Sequence, residues 1–142
     1  MTETALLRIV YVSTSVPPFT EAGLVDLLSR ARQRNQGLGI TGMLLYKDGN
    51  WLQVLEGPDR AVNEIFGRIR RDPRHQDVTP VVEEPIAERQ FDHWSMGFRN
   101  LAGREADSIP GYTDFMSRGY DRHGFKPDPS GCLDILRLFR DG

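Results

Sequence analysis

An α+β domain is the fold class this sequence predicts: a mostly antiparallel sheet with two helices on one face and a short helical extension on the other. Three observations predict it. Five short apolar runs of strand composition occur, at Leu6–Ser13, Gly39–Tyr46, Trp51–Glu56, Val78–Glu84 and Trp94–Asn100. Two longer segments, one between the first and second runs and one between the third and fourth, carry apolar residues every three or four positions, as amphipathic helices do. An Asp48-Gly49 pair between the second and third runs marks a tight hairpin.

The first strand reads LLRIVYVS. Its side chains alternate, so Leu7, Ile9, Tyr11 and Ser13 share one face and Leu6, Arg8, Val10 and Val12 the other. Pro17-Pro18 imposes an extended loop, and the Thr20 hydroxyl is placed to cap the next helix. That helix is expected to run to about Gln36, with Leu24, Leu27, Leu28 and Ala31 as its buried stripe and Gly37 and Gly39 ending it. The second strand, GITGMLLY, turns at Asp48-Gly49 into the third, WLQVLE, whose Trp51, Gln53 and Leu55 share a face. Gly57-Pro58 opens the second helix, with Pro58 at the first helical position. Val62, Ile65, Phe66 and Ile69 form its inward face, and it must stop before Pro73.

The order is therefore β-α-β-β-α-β-β. Its first six elements match the ferredoxin-like pattern, with both helices on one face of the sheet. Right-handed crossovers place strands one and three side by side at the centre. Tyr11 and Gln53 then become neighbours beneath the helices.

Residues 102–142 differ in character, being rich in Gly, Pro, Asp and Ser. Short helices are expected near Tyr112–Ser117 and Ser130–Arg140, the second with a stripe of Cys132, Leu133, Leu136 and Phe139. The back face of the sheet, carrying Leu6, Val10, Leu52 and Val54, is the surface this extension would cover. The chain thus divides into a main domain, 1–101, and an extension, 102–142.

Composition excludes several function classes. The 142 residues are 39% hydrophobic and 27% charged, as in soluble globular proteins. A net charge of −2 supplies no field that would recruit nucleic acid or an anionic membrane. No run approaches the ~20 apolar residues of a membrane span, and the N-terminus lacks the basic start and apolar run of a signal peptide. A cytoplasmic protein is expected. The single cysteine, Cys132, forbids an internal disulfide, and His75 and His93 share no metal-ligand spacing. No phosphate loop or Ser-His-Asp set is present.

What remains is a set of polar residues on an apolar framework. Singly, most have ordinary readings: Tyr11 as core, Asn35 as the end of a helix, Asp72 before Pro73 as turn chemistry. Trp94 and Met96, two apart on the fifth strand, read as core filling. Gln53 stands out, because it replaces an apolar residue in a central strand and needs a partner there. A Tyr and a Gln facing each other inside such a core would suit a polar cofactor ring between the elements.

Together these residues resemble the BLUF family of flavin-binding blue-light sensors. The matching segments are Tyr11-Val-Ser13, Ala31-Arg-x-x-Asn35-x-x-x-Gly39-Ile-Thr-Gly42 and Gln53-Val-Leu-Glu-Gly57, then Arg68-Ile69-x-x-Asp72-x-Arg74-His75 and Trp94-Ser-Met96. They follow in the family's order and spacing over residues 7 to 100. Val12 is often polar or basic in relatives, but it lies on the opposite sheet face, away from the expected pocket.

The resemblance implies non-covalently bound FAD, with the flavin ring between the two helices and sandwiched by Leu27 and Ile69. It implies that Asn35 bonds the polar edge of the ring. Arg68, Asp72 and Arg74 would contact the ring edge or the ribityl and phosphate tail, and Arg34 would help hold the cofactor. Tyr11, Ser13 and Met96 complete the implied pocket. Tyr11 would give an electron and then a proton to the light-excited flavin. Gln53, between them, would rearrange its amide by rotation or tautomerisation, leaving a red-shifted state. The signal would leave through Trp94 and Met96 to the C-terminal helices. With no room for a cyclase or phosphodiesterase domain, a short stand-alone sensor is implied. It would not be an enzyme, and it would act through an unidentified partner protein or as a homodimer or larger oligomer.

Rivals on the same scaffold fit less well. An acylphosphatase-like hydrolase needs an Arg in the loop after strand one, where the chain reads Thr14-Ser15-Val16-Pro17-Pro18. An RNA-binding module needs exposed aromatic and basic residues on the free sheet face. A redox flavoenzyme would need a substrate-side acid or base beside the pocket, and none is evident.

Overall fold

The computed structural model describes residues 5–15, 20–47, 49–91, 97–100 and 136. Its elements are β1 (Leu6–Ser15), α1 (Glu21–Leu38), β2 (Thr41–Lys47), β3 (Asn50–Pro58), α2 (Asp59–Arg71), β4 (His75–Ile86) and β5 (Gly97–Asn100). The sheet order is β4-β1-β3-β2-β5. All pairings are antiparallel except β2 with β5, which is parallel. This is the ferredoxin-like arrangement expected, with β1 and β3 adjacent at the centre. No described helix is long and apolar enough to cross a membrane.

Local chemistry sets the element ends. Thr20 Oγ1 accepts from the Gly23 N–H at 3.0 Å and starts α1. Gly39, at φ 71, ends it in the left-handed conformation that glycine adopts without a Cβ clash. The helix therefore runs through Gly37, two residues past the expected Gln36. Across the hairpin Lys47 pairs with Asn50, and Gly49 has φ 90.

Two expectations need correction. Pro58 is not the first residue of α2 but the last of β3, and it caps the helix without a side-chain bond. Its pairing with Leu6 extends the β1–β3 ladder to this point and keeps it in an extended conformation. β4 starts at His75 rather than Val78, because Thr14 and Ser15 at the end of β1 pair with Gln76 and His75. Pro80 and Pro85 are tolerated inside β4 because it is an edge strand. Two register shifts interrupt its ladder with β1, and Asp77, at φ 53, lies at the second.

Alternation divides the sheet as the sequence predicts. The helix-side core joins Ile9, Tyr11, Leu44, Trp51 and Leu55 to Leu24 and Leu28 of α1 and to Val62, Ile65 and Phe66 of α2. On the opposite face Val10, Val12, Leu45, Leu52 and Val54 are also fully buried. Leu136, the one described residue of the extension, is helical and buried as well. The two expected C-terminal helices otherwise lie outside the described residues, as do Trp94 and Met96.

Candidate functional site

Tyr11 of β1 and Gln53 of β3 are direct cross-strand partners on the helix side of the sheet. The Tyr11 hydroxyl donates to Gln53 Oε1, and both side chains are buried. The Tyr11 ring lies 5.4 Å from that of Phe66 on α2, which fixes its orientation. Burial pushes the phenol well above its ordinary pKa; Arg34 opposes this and Asp72 adds to it. Tyr11 is therefore a neutral hydrogen-bond donor at any physiological pH.

Above this pair, between α1 and α2, is a cavity of about 370 Å³, within the range of small-molecule sites. Leu27, Leu28 and Ala31 of α1 and Ile69 of α2 form apolar walls, and Leu44, Trp51, Gln53 and Tyr11 form the floor. The rim is charged: Asp26, Arg30 and Arg34 from α1, with Asp72 and Arg74 from the α2–β4 connection and His75 at the start of β4. Arg74 grips Asp72 in a fork, Nη2 to Oδ2 at 2.6 Å and Nε to Oδ1 at 3.0 Å. That grip holds the Asp72 carboxyl below the usual carboxylate range. Half-buried Arg34 donates from Nε and Nη2 to Asn35 Oδ1 at 3.3 and 3.2 Å. The arrangement suits a flat apolar molecule whose polar edge meets an amide and whose tail meets a cationic rim. A flavin nucleotide has this form, so the residues present fit it.

The family model described as sensors of blue-light using FAD matches residues 6–97. The chain belongs to the BLUF family. Among curated proteins it is similar to the photoactivated adenylate cyclase subunit beta of Euglena gracilis, 39% identical over 95 residues. That alignment covers 66% of this chain and 11% of the relative, so the chain spans a small part of such proteins. It also resembles the blue light- and temperature-regulated antirepressor BluF of Escherichia coli, 31% identical over 84 residues, 59% of this chain and 21% of the relative. Among solved structures, the BLUF protein BlrB in its dark state superposes with a TM-score of 0.77 at 30% identity, covering 99% of this chain and 98% of that one. BlrP1 of Klebsiella pneumoniae with FMN and cyclic diGMP superposes with a TM-score of 0.66 at 36% identity, covering 72% of this chain and 27% of that one.

The BLUF motif residues do not all reach the cavity. Tyr11, Leu27, Arg34, Gln53, Ile69, Asp72 and Arg74 line it. Asn35 is fully buried beside it, accepting from Arg34. Ser13 lies behind it, its Oγ 3.1 Å from His75 Nδ1. Arg68 points to the helix surface, where it pairs with Glu64 at 2.9 Å. Leu28, Ala31 and Trp51 line the cavity although sequence reasoning did not nominate them. The first two lay on the inward stripe and Trp51 shared Gln53's face, so the pattern held the clue. His75 closes the Arg68–His75 motif segment, but the strand was expected to begin at Val78, so its place on the rim followed only from where β4 begins.

His75 provides a pH test. Burial lowers its pKa from the ordinary 6.5; Asp72 opposes this and Arg74 assists. The unfolded chain therefore binds this proton more readily than the folded one. Stability from neutral His75 is complete above about 6.5 and declines as pH falls through that value towards the folded pKa. The thermal midpoint is expected to drop as pH is lowered from about 7.5 to about 5.5, and His75→Gln is expected to flatten that slope. Equal slopes in parent and variant would assign the drop to other groups.

Proposed function

We propose that this protein is a cytoplasmic blue-light photoreceptor that binds FAD non-covalently between α1 and α2. The observation that carries the reading is the Tyr11–Gln53 hydrogen bond on the floor of a cavity walled by Leu27 and Ile69. Leu27 and Ile69 would flank the ring. Arg34, Asp72 and Arg74 would meet its polar edge or tail, with Asn35 holding Arg34 in place and contributing to that edge. Ser13 would support the site through His75. Arg68 would reach the tail by turning from Glu64.

When bound, flavin supplies blue-light absorption and, once excited, a strong oxidant. The chain's own part is at Tyr11 and Gln53. Tyr11 would give one electron to that oxidant and release its phenolic proton along the bond to Gln53, and both would then return. An amide has a donor and an acceptor end, so Gln53 is left in a second stable arrangement after rotation or tautomerisation. Trp94, Met96 and the C-terminal helices would carry that change to a partner protein or to a second copy of the chain. No catalytic turnover is assigned to the protein.

The deciding experiment is the visible spectrum of the purified protein before and after blue light. A flavin spectrum that moves slightly to the red and returns in darkness is the expected result. Absence of flavin after refolding with FAD would remove the photoreceptor reading. Bleaching without a reversible shift would point to redox enzymology.

A further inference from the structure

β3 turns Gln53 towards the cavity and Glu56 towards the opposite face of the sheet. Glu56 is 0% exposed. A carboxylate so buried is tolerated only when donors meet both of its oxygens. Oε2 accepts from Arg8 Nε at 2.9 Å and Nη2 at 2.8 Å. Oε1 accepts from the backbone N–H groups of Gln90 at 2.9 Å and Phe91 at 2.8 Å. Arg89 reinforces the join, donating from Nη1 to Thr41 Oγ1 at 3.1 Å and to the Glu56 carbonyl at 3.4 Å. One side chain thus ties β1 and β3 to the segment that follows β4.

Glu56 takes no part in the cavity, which lies on the other side of the sheet. Its placement in the chain is informative. The tied segment, 89–91, directly precedes the stretch containing Trp94 and Met96, and that stretch leads into β5. The strand that presents Gln53 is therefore bonded to the chain just ahead of the proposed output residues.

We propose that Glu56 is a positioning residue that locks residues 89–91 to β3, so that movement of β3 caused by Gln53 is passed to Trp94 and Met96. The inference rests on the photoreceptor reading above. Hydrogen bonds to a buried carboxylate are stronger than neutral ones, and leaving the group half satisfied is costly. The amides of Gln90 and Phe91 therefore follow the strand rather than release it.

The test uses the full-length protein loaded with flavin. Its amide resonances are recorded in darkness and under blue light, with the absorption spectrum taken on the same sample. The wild type is expected to show light-dependent shifts at the Gln90 and Phe91 amides. Glu56→Gln retains one acceptor oxygen; the buried Arg8 cation claims it, and the amide NH2 then faces the Gln90 and Phe91 N–H groups donor to donor. This variant should keep the flavin red shift and lose the light-dark difference at residues 90 and 91 and at the Trp94 indole N–H. Dark hydrogen exchange at residues 90 and 91 should be about tenfold faster. A wild type that red-shifts with unchanged Gln90 and Phe91 amides overturns the inference. A Glu56→Gln protein whose Trp94 response equals the wild type's overturns it too. Should that variant not fold, the wild-type amide comparison decides alone. A wild type without a reversible shift is a separate failure, that of the photoreceptor reading, and the absorption trace shows it first.

Discussion

Tyr11→Phe and Gln53→Leu are each expected to abolish the reversible red shift while leaving flavin bound. Tyr11→Phe removes one hydroxyl and keeps the ring packed against Phe66. It takes away the donor that meets Gln53 Oε1, and with it the phenolic proton. Gln53→Leu keeps similar bulk on the cavity floor but removes the group with two distinguishable ends. It leaves the Tyr11 hydroxyl buried without its partner, a cost of about 1–3 kcal/mol in stability. Neither change alters Leu27, Ile69 or the Arg74–Asp72 pair on the cavity wall and rim, so retention of flavin is expected. Gln53→Glu, if ionised, would lack a donor end and is expected to fail likewise. The measurement is the light-minus-dark absorption difference, normalised to flavin released on denaturation. A normal photocycle in Tyr11→Phe or Gln53→Leu would remove those residues from the mechanism.

The placement of Tyr11 beside Gln53 was legible because it needs only two regularities. A strand's period of two puts each on a defined face, and the hand of the crossover makes β1 and β3 neighbours. The α1 stripe was legible for a similar reason: Leu24, Leu28 and Ala31 recur at the helical period, and the structure buries all three. The features missed depend on contacts distant in sequence. The start of β4 at His75 follows from pairing with Ser15, sixty residues earlier, whereas locally Asp72-Pro73 and Gln76-Asp77 look like turn. Arg8 was visible as a charge among Leu6, Val10 and Val12, but its partner Glu56 is 48 residues away. The backbone donors that complete the carboxylate of Glu56 come from a segment with no distinctive composition. Arg68 carries two signals. A family motif nominates it for the cofactor, yet its side chain pairs with Glu64 one helical turn away, an interaction that the i, i+4 spacing also allows.

Gly42→Ala is expected to cost about 3 kcal/mol or more in unfolding free energy, the largest stability effect of any single methyl in the chain's motifs. Gly42 pairs with Leu55 across the β2–β3 ladder. A Cβ there would fall inside contact distance of the Val54 carbonyl oxygen and 3.1 Å from its carbon. Both atoms belong to the backbone of a central strand, so neither yields as a flexible side chain would. Relief requires β3 to move away from β2, and Gln53 lies next to the atoms that must move. The same Gly-Ile-Thr-Gly segment contains Gly39, which needs its positive φ, and a Cβ on Gly57 would come within 2.9 Å of the Gly39 carbonyl oxygen. Gly42 and Gly57 therefore mark places where backbone meets backbone, and neither lines the cavity. Gly37 supplies the control. It lies within α1 with nothing inside 4 Å of an added Cβ, so Gly37→Ala is expected to stabilise by about 0.5–1 kcal/mol through helix propensity. Chemical denaturation of the two variants checks both signs at once. If Gly42→Ala is as stable as the parent, the β2–β3 spacing has room that this packing denies. If Gly37→Ala also destabilises strongly, the effect is general to these glycines and does not come from the Val54 contact.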